Sequence, residues 1–289
     1  MVVFILINFM KKLLLLSFVF CTMSCVTDTD ILQDKLTIEG QINEGEFAKV
    51  YLTNSLPFKG IIDSLEVAKS IESKAKVELF DGETSEILTL KRDNSYFPFL
   101  YYRSNQIKGE LGKNYKLKVT IRGDEFNAQT SLPELPNVLN IEFLDAIRDG
   151  ELVSGFKDLR LVLKNTNPQI PKYFKLLIKN EEDTMFEYAD PFIFNTENIF
   201  TDTFPIIMHH KTYMNNERDD ILKSGVVTDL EVVAITKEQY DFWLSVKGDV
   251  TMPIENASFS TVVKSNISNG AFGYWSGENK AVFRFQVPE

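Results

Sequence analysis

The sequence predicts an all-β fold of two antiparallel β-sandwich-like domains, the second carrying one short helix. Three observations predict it. Apolar residues recur with a period of two along most of the chain, glycine-containing turns separate the periodic runs, and a proline pair splits them into two series. Each run has one apolar and one polar face, the pattern of half-buried antiparallel strands rather than of a parallel sheet buried on both faces.

Taken in order, the chain opens with a signal-like segment. Lys11-Lys12 precede the apolar run Leu13 to Phe20, followed by Cys21-Thr22-Met23-Ser24-Cys25. A basic start, a short apolar stretch and a small residue before the cut make a secretory signal over 1–24. Met10 is the expected natural start, because Met1 to Phe9 adds only uncharged, largely apolar sequence. The competing reading is an uncleaved anchor over Val2 to Met23. Lys11 and Lys12 oppose it, since each costs about 2.5–3.5 kcal/mol in a hydrocarbon core. Of the two cysteines, Cys25 follows the small Ser24 whereas Cys21 follows the bulky Phe20, so Cys25 is the expected lipidation site. Thr22 stands where such signals most often carry leucine. Two or more acyl chains anchor a protein stably where one chain binds only marginally. Residues 25–34, with Asp28 and Asp30, form an acidic tether.

The folded part begins near residue 35. Leu36, Ile38 and Gly40 alternate with Thr37 and Glu39, and Ala75, Val77 and Leu79 with Lys76 and Glu78. Tyr115, Leu117, Val119 and Ile121 make the clearest strand, with turns at Asp81-Gly82, Gly109, Gly112 and Gly123-Asp124. Leu132-Pro133-Glu134-Leu135-Pro136 interrupts the series, because proline removes ladder donors and stiffens the chain. The expected domains are therefore 35–133 and 137–289. The second series runs through Leu159, Leu161 and Leu163, then Phe174, Leu176 and Ile178, then Leu230, Val232 and Ala234, and finally Ala281, Phe283, Phe285 and Val287. Thr236-Lys237-Glu238-Gln239 has the form of a capping box. Tyr240, Trp243 and Leu244 follow at helical spacing, so a helix is expected near 237–247, ended by Gly248.

Composition excludes several chemistries. Cleavage before Cys25 leaves no free thiol, so disulfides, cysteine nucleophiles and Cys-ligated zinc are ruled out of the mature chain. His209 and His210 are the only histidines, and neighbours on an extended strand face opposite ways, so a structural or surface role is expected. The net charge is −10, and losing Lys11 and Lys12 makes the mature form more negative still, which argues against nucleic acid as a partner. Glu181-Glu182-Asp183 and Asp219-Asp220 match no calcium-loop spacing and read as solvated turns. No cofactor or metal is expected.

Gly112, Tyr115, Leu117, Val119, Gly123, Ala128, Thr130 and Pro133, preceded by Ile38-Glu39-Gly40 and Ala75-Lys76-Val77-Glu78-Leu79, form an ordered pattern. It continues near the carboxyl end with Asn269-Gly270-Ala271-Phe272-Gly273-Tyr274-Trp275-Ser276-Gly277. This pattern resembles an uncharacterised family of Bacteroidota outer-membrane lipoproteins, domain of unknown function 4249, over nearly the whole mature chain. The resemblance implies an outer-membrane lipoprotein often encoded beside a TonB-dependent receptor. It supplies no reaction and no catalytic residue.

Two aromatic clusters are the candidate interaction surface. Tyr96-Phe97-Pro98-Phe99-Leu100-Tyr101-Tyr102 carries five aromatics in seven residues, and alternation turns Phe97, Phe99 and Tyr101 inward while Tyr96 and Tyr102 face outward or cover an edge. The glycines around Phe272 to Trp275 permit a tight turn or a close backbone approach that displays Tyr274 and Trp275, although a folded, self-packed turn is the preferred reading. A third concentration, Phe186, Tyr188, Phe192, Phe194, Phe200 and Phe204, suggests strand, loop and strand over a thick core.

The expected function is a non-catalytic, lipid-anchored outer-membrane binding component associated with a TonB-dependent uptake receptor. The alternatives are a surface glycan-binding lipoprotein and, behind both, a hydrolase using two carboxylates. Metabolic labelling with a clickable fatty acid tests the anchor. Label is expected on the wild-type protein and absent from Cys25→Ser; a labelled Cys25→Ser protein contradicts it.

Overall fold

The structure, a computed structural model, describes residues 35–55, 68–94, 98–212, 221–250 and 263–289. The signal over 1–24, Cys25, the tether, Tyr96, Phe97 and Asp219-Asp220 lie outside the described residues. Among the described residues the named elements follow in chain order: β1 (Leu36–Asn43), β2 (Phe47–Asn54), β3 (Lys76–Phe80), β4 (Ser85–Ile87), β5 (Thr89–Arg92), β6 (Leu100–Lys108), β7 (Asn114–Ile121), β8 (Asp124–Ser131), β9 (Val138–Arg148), β10 (Glu151–Lys164), β11 (Tyr173–Asn180), β12 (Glu187–Asn195), β13 (Thr203–Thr212), β14 (Val227–Ile235), α1 (Lys237–Val250) and β15 (Phe272–Gln286). The fold is all-β, as the period-two pattern predicts.

The strands form an 11-stranded sheet in the order β5-β6-β2-β1-β15-β14-β11-β12-β13-β10-β9 and a 4-stranded sheet in the order β4-β3-β7-β8. Between them lies a first core that includes Ile38, Val50, Leu79, Tyr115, Val119 and Trp275. The second core gathers Leu159, Leu161, Leu163, Phe174, Leu176, Leu230 and Val232 from one face of β10, β11 and β14. The large sheet curls around this second core until its β9 edge reaches β15: the Phe143 ring of β9 lies edge-on to Phe285 of β15 with centroids 5.3 Å apart. Leu132 belongs to the first core and Val138 packs on the second, so the chain passes from one to the other across the proline segment.

β15 joins the two parts. It pairs antiparallel with β14 and parallel with β1, the single parallel pair among the described strand ladders and a departure from the purely antiparallel expectation. Its first half is buried and its second half alternates. Phe272 to Gly277 is therefore strand, with Asn269 and Gly270 at positive φ supplying the turn before it. Gly273 holds φ near +102°, and a Cβ there would lie 2.0 Å from the Ile38 carbonyl oxygen, so close pairing with β1 requires glycine. Gly40 leaves room on β1 for the Trp275 indole, where an added methyl would approach Cε3 to 2.7 Å.

The two sheets are also tied at the rim of the first core. Glu86 on β4 accepts hydrogen bonds from the backbone N–H groups of Asn105, Gln106 and Ile107 at 2.7, 2.8 and 3.3 Å, where β6 breaks its register with β2. Donors that would otherwise lack strand partners are satisfied there.

Truncation tests the role of Trp275. Since this side chain has 0% exposure, Trp275→Ala is expected to lower the unfolding free energy by about 3–5 kcal/mol. Gly40→Ala is expected to cost about 1–3 kcal/mol through overpacking. Urea unfolding followed by circular dichroism measures both, and unchanged midpoints would contradict the packing argument.

Candidate functional site

The proline segment between the cores borders a cleft of about 630 Å³. Its walls are the end of β8, Leu132 to Asn137, the β10–β11 connection around Asn167 to Lys172, and the start of α1. Local sequence explains the opening. Proline donates no backbone hydrogen bond, so Pro133, Pro136 and Pro171 keep neighbouring strands from closing over it.

Chemically the cleft is mixed. Leu135 and Ile170, 55% and 58% exposed, offer apolar surface, while Asn114, Gln129, Asn137 and Asn167 offer amides. Two of its lysines are paired: Lys172 Nζ lies 3.3 Å from Glu134 Oε2, and Lys237 Nζ lies 2.9 Å from Asp241 Oδ2. Tyr173 at the start of β11 is already covered, its ring 5.2 Å from that of Tyr240 and beneath the Lys237 ammonium. Its hydroxyl donates to Glu197 Oε1 at 2.9 Å. Burial and then the Glu197 carboxylate push the phenol up to about 12.

α1 frames one side. Thr236 caps it, its Oγ1 accepting from the Gln239 N–H at 3.4 Å, as the capping-box spacing predicts. The Gln239 side chain is diverted inward, donating to Glu278 Oε1 at 2.8 Å. Phe242 rather than Leu244 packs down: Phe242 is 7% exposed and Leu244 46%. The helix continues to Val250, past the expected stop at Gly248. Beneath it lies a buried polar group in which Lys175 Nζ donates to the same Glu278 Oε1 at 2.7 Å. Glu39 on the neighbouring β1 has its carboxyl raised by burial, an effect that Lys175 partly offsets.

The residues expected to form an interaction surface are placed otherwise. Tyr102, Tyr274 and Trp275 are 4%, 6% and 0% exposed, which corrects the expectation of outward-facing aromatics. On β6 the phase is the reverse of the expected one: Tyr102 points inward, its hydroxyl accepting from the Ala75 N–H at 3.0 Å, while Tyr101 is half-buried. Alternation alone cannot choose between two phases when both contain aromatics. Trp275 Nε1 donates to the Tyr115 carbonyl at 3.1 Å, and Asn266 bonds both backbone groups of Trp275. Tyr274 packs on Phe242 and Trp243 of α1, and burial raises its phenol well above the usual value.

His209 and His210 meet a common partner despite being adjacent. Both Nδ1 atoms approach Arg148 Nη2, at 3.1 and 3.0 Å, and Arg148 grips Asp158 with two hydrogen bonds of 2.9 and 2.7 Å. A register shift between β12 and β13 opposite His209 breaks the strict alternation that the sequence implies. Burial raises the Asp158 carboxyl, but the Arg148 and His209 hydrogen bonds outweigh it and hold it below the ordinary carboxylate range. Among the described residues, no group of three or more histidine, cysteine or acidic side chains is placed to hold a metal ion.

The family model Domain of unknown function (DUF4249) matches residues 24–284, and the chain belongs to that family. No curated protein matches it.

Glu197→Gln tests the Tyr173 site. Loss of the carboxylate is expected to lower the Tyr173 titration toward about 10, read by ultraviolet difference titration against Tyr173→Phe. Because the folded phenol keeps its proton longer than the unfolded one, its contribution to stability is full below pH ~10 and lost as pH rises toward about 12. An unmoved titration would contradict the assignment.

Proposed function

We propose that this protein is a non-catalytic, lipid-anchored component of the outer membrane that binds a solute or partner for a TonB-dependent uptake receptor. The observation that carries the reading is Cys25, which ends a basic and apolar signal-like segment and opens an acidic stretch leading to the folded body. The family resemblance supports the association with a receptor. The cleft beside Leu135, Ile170 and Tyr173 supports binding, since a few polar groups set among apolar surface are what a ligand pocket uses to orient its occupant.

A surface glycan-binding role is the second reading, favoured by the amides and hydroxyls of Asn114, Gln129, Thr130 and Asn167. The aromatic contribution to it is weaker, because Tyr173 is covered by Tyr240 and Lys237.

Two measurements separate the readings. Tagged protein purified after gentle solubilisation is expected to carry a TonB-dependent barrel in near-stoichiometric amount; recovery solely as a free monomer sinks the first reading. Titration with a polysaccharide panel, using Asn167→Ala in the cleft as control, supports the second if binding is seen and weakened by the substitution. Absence of binding across the panel removes it.

A further inference from the structure

Lys175, Glu278 and Gln239 bring an amine, a carboxylate and a primary amide together in the interior. They come from three separate elements, β11, β15 and α1. Lys175 Nζ and Gln239 Nε2 donate to one and the same oxygen, Glu278 Oε1, at 2.7 and 2.8 Å. Lys175 is 7% exposed, Glu278 4% and Gln239 0%. The amine and the amide are thus neighbours across a single oxygen, in a space screened from bulk water.

Gln239 Oε1 is buried and accepts no hydrogen bond, although its amide nitrogen is engaged. A buried carbonyl without a donor is costly in a purely structural network. It is also the oxygen that takes up charge when a nucleophile adds to the amide carbon. Tyr274, 6% exposed, keeps its phenol proton, because burial raises its pKa. Two requirements for acyl transfer are therefore gathered: a nucleophile, and a carboxylate that bonds both the nucleophile and the leaving nitrogen.

We propose that these residues form a self-crosslinking site, in which Lys175 condenses with Gln239 to give an internal amide bond with loss of ammonia. Glu278 takes a proton from the Lys175 ammonium, and the freed lone pair on Nζ forms a bond to Cδ of Gln239 while the carbonyl π pair moves onto Oε1. Glu278 then passes a proton from the attacking nitrogen to Nε2. Collapse of the tetrahedral centre restores the carbonyl and breaks the Cδ–Nε2 bond. Ammonia departs, taking the remaining proton as ammonium, and Glu278 ends as the carboxylate. Nothing is oxidised or reduced, and no other reactant is consumed.

The bond has a physical use in this chain. The only cysteines are Cys21 and Cys25, so residues 35–289 contain none with which to form a disulfide. An amide between β11 and α1 closes a long loop and restricts the unfolded ensemble as a disulfide would, without depending on redox conditions.

Intact-mass spectrometry of the denatured protein, followed by peptide mapping, is the test. The expected result is a chain lighter by one ammonia and a branched peptide joining the Lys175 and Gln239 segments. Glu278→Gln is expected to restore the full mass and both linear peptides, with far-ultraviolet circular dichroism showing that it still folds. The wild-type measurement decides alone if that variant does not fold. Linear Lys175 and Gln239 peptides from the wild-type protein overturn the proposal, and so does a branch linking Lys175 to Glu278 with loss of water.

Discussion

The indole of Trp275 lies against the bare backbone of Gly40, and the rest of the structure depends on that contact. It sets β15 beside β1 in parallel and aims the indole N–H at the Tyr115 carbonyl of the second sheet. The same strand then crosses into the other core, where it pairs with β14 and meets β9 through Phe285 and Phe143. One continuous strand therefore supplies a wall to both cores. A bulky residue at Gly40 or Gly273 would disturb the ladder at the point where it enters the first core.

The placement of the candidate site follows. Because β15 holds the cores side by side, the proline segment from Leu132 to Pro136 must span them at the surface, and the cleft opens beside it. α1 closes over the outer face of β11 and β15, where Glu278 is bonded by Lys175 below and Gln239 above. Burying an ion pair is a poor source of stability when apolar packing would serve. The polar group under α1 is therefore better understood as fixing the helix in one position, and by the proposal above as a site of chemistry.

Much of this was legible in the sequence wherever one face is dry and the other wet. β7 shows it well: Tyr115, Leu117, Val119 and Ile121 are buried, and their alternate neighbours are not. The helix was readable from its cap, because Thr236 and Gln239 act locally. The parallel partnership of β1 and β15 was not, since it joins residues at opposite ends of the chain and no local pattern encodes it. β15 also hid its identity: its first half is buried on both faces, so alternation disappears and the glycines read as a turn. The phase of β6 was ambiguous for a related reason, with Tyr101 and Tyr102 both plausible inward residues. The cleft was visible only as two prolines, because its other walls come from Lys172 and Thr236, far along the chain.

The central claim is that β15 makes the two cores one cooperative unit. Native-state hydrogen exchange in rising denaturant tests it most directly, by comparing amides of β7 in the first core with those of β10 and β11 in the second. The account predicts that the slowest amides of both cores exchange with the same free energy and the same denaturant dependence, those of Phe272–Gln286 among them. Two separate sets, with one core opening while the other stays protected, would contradict it.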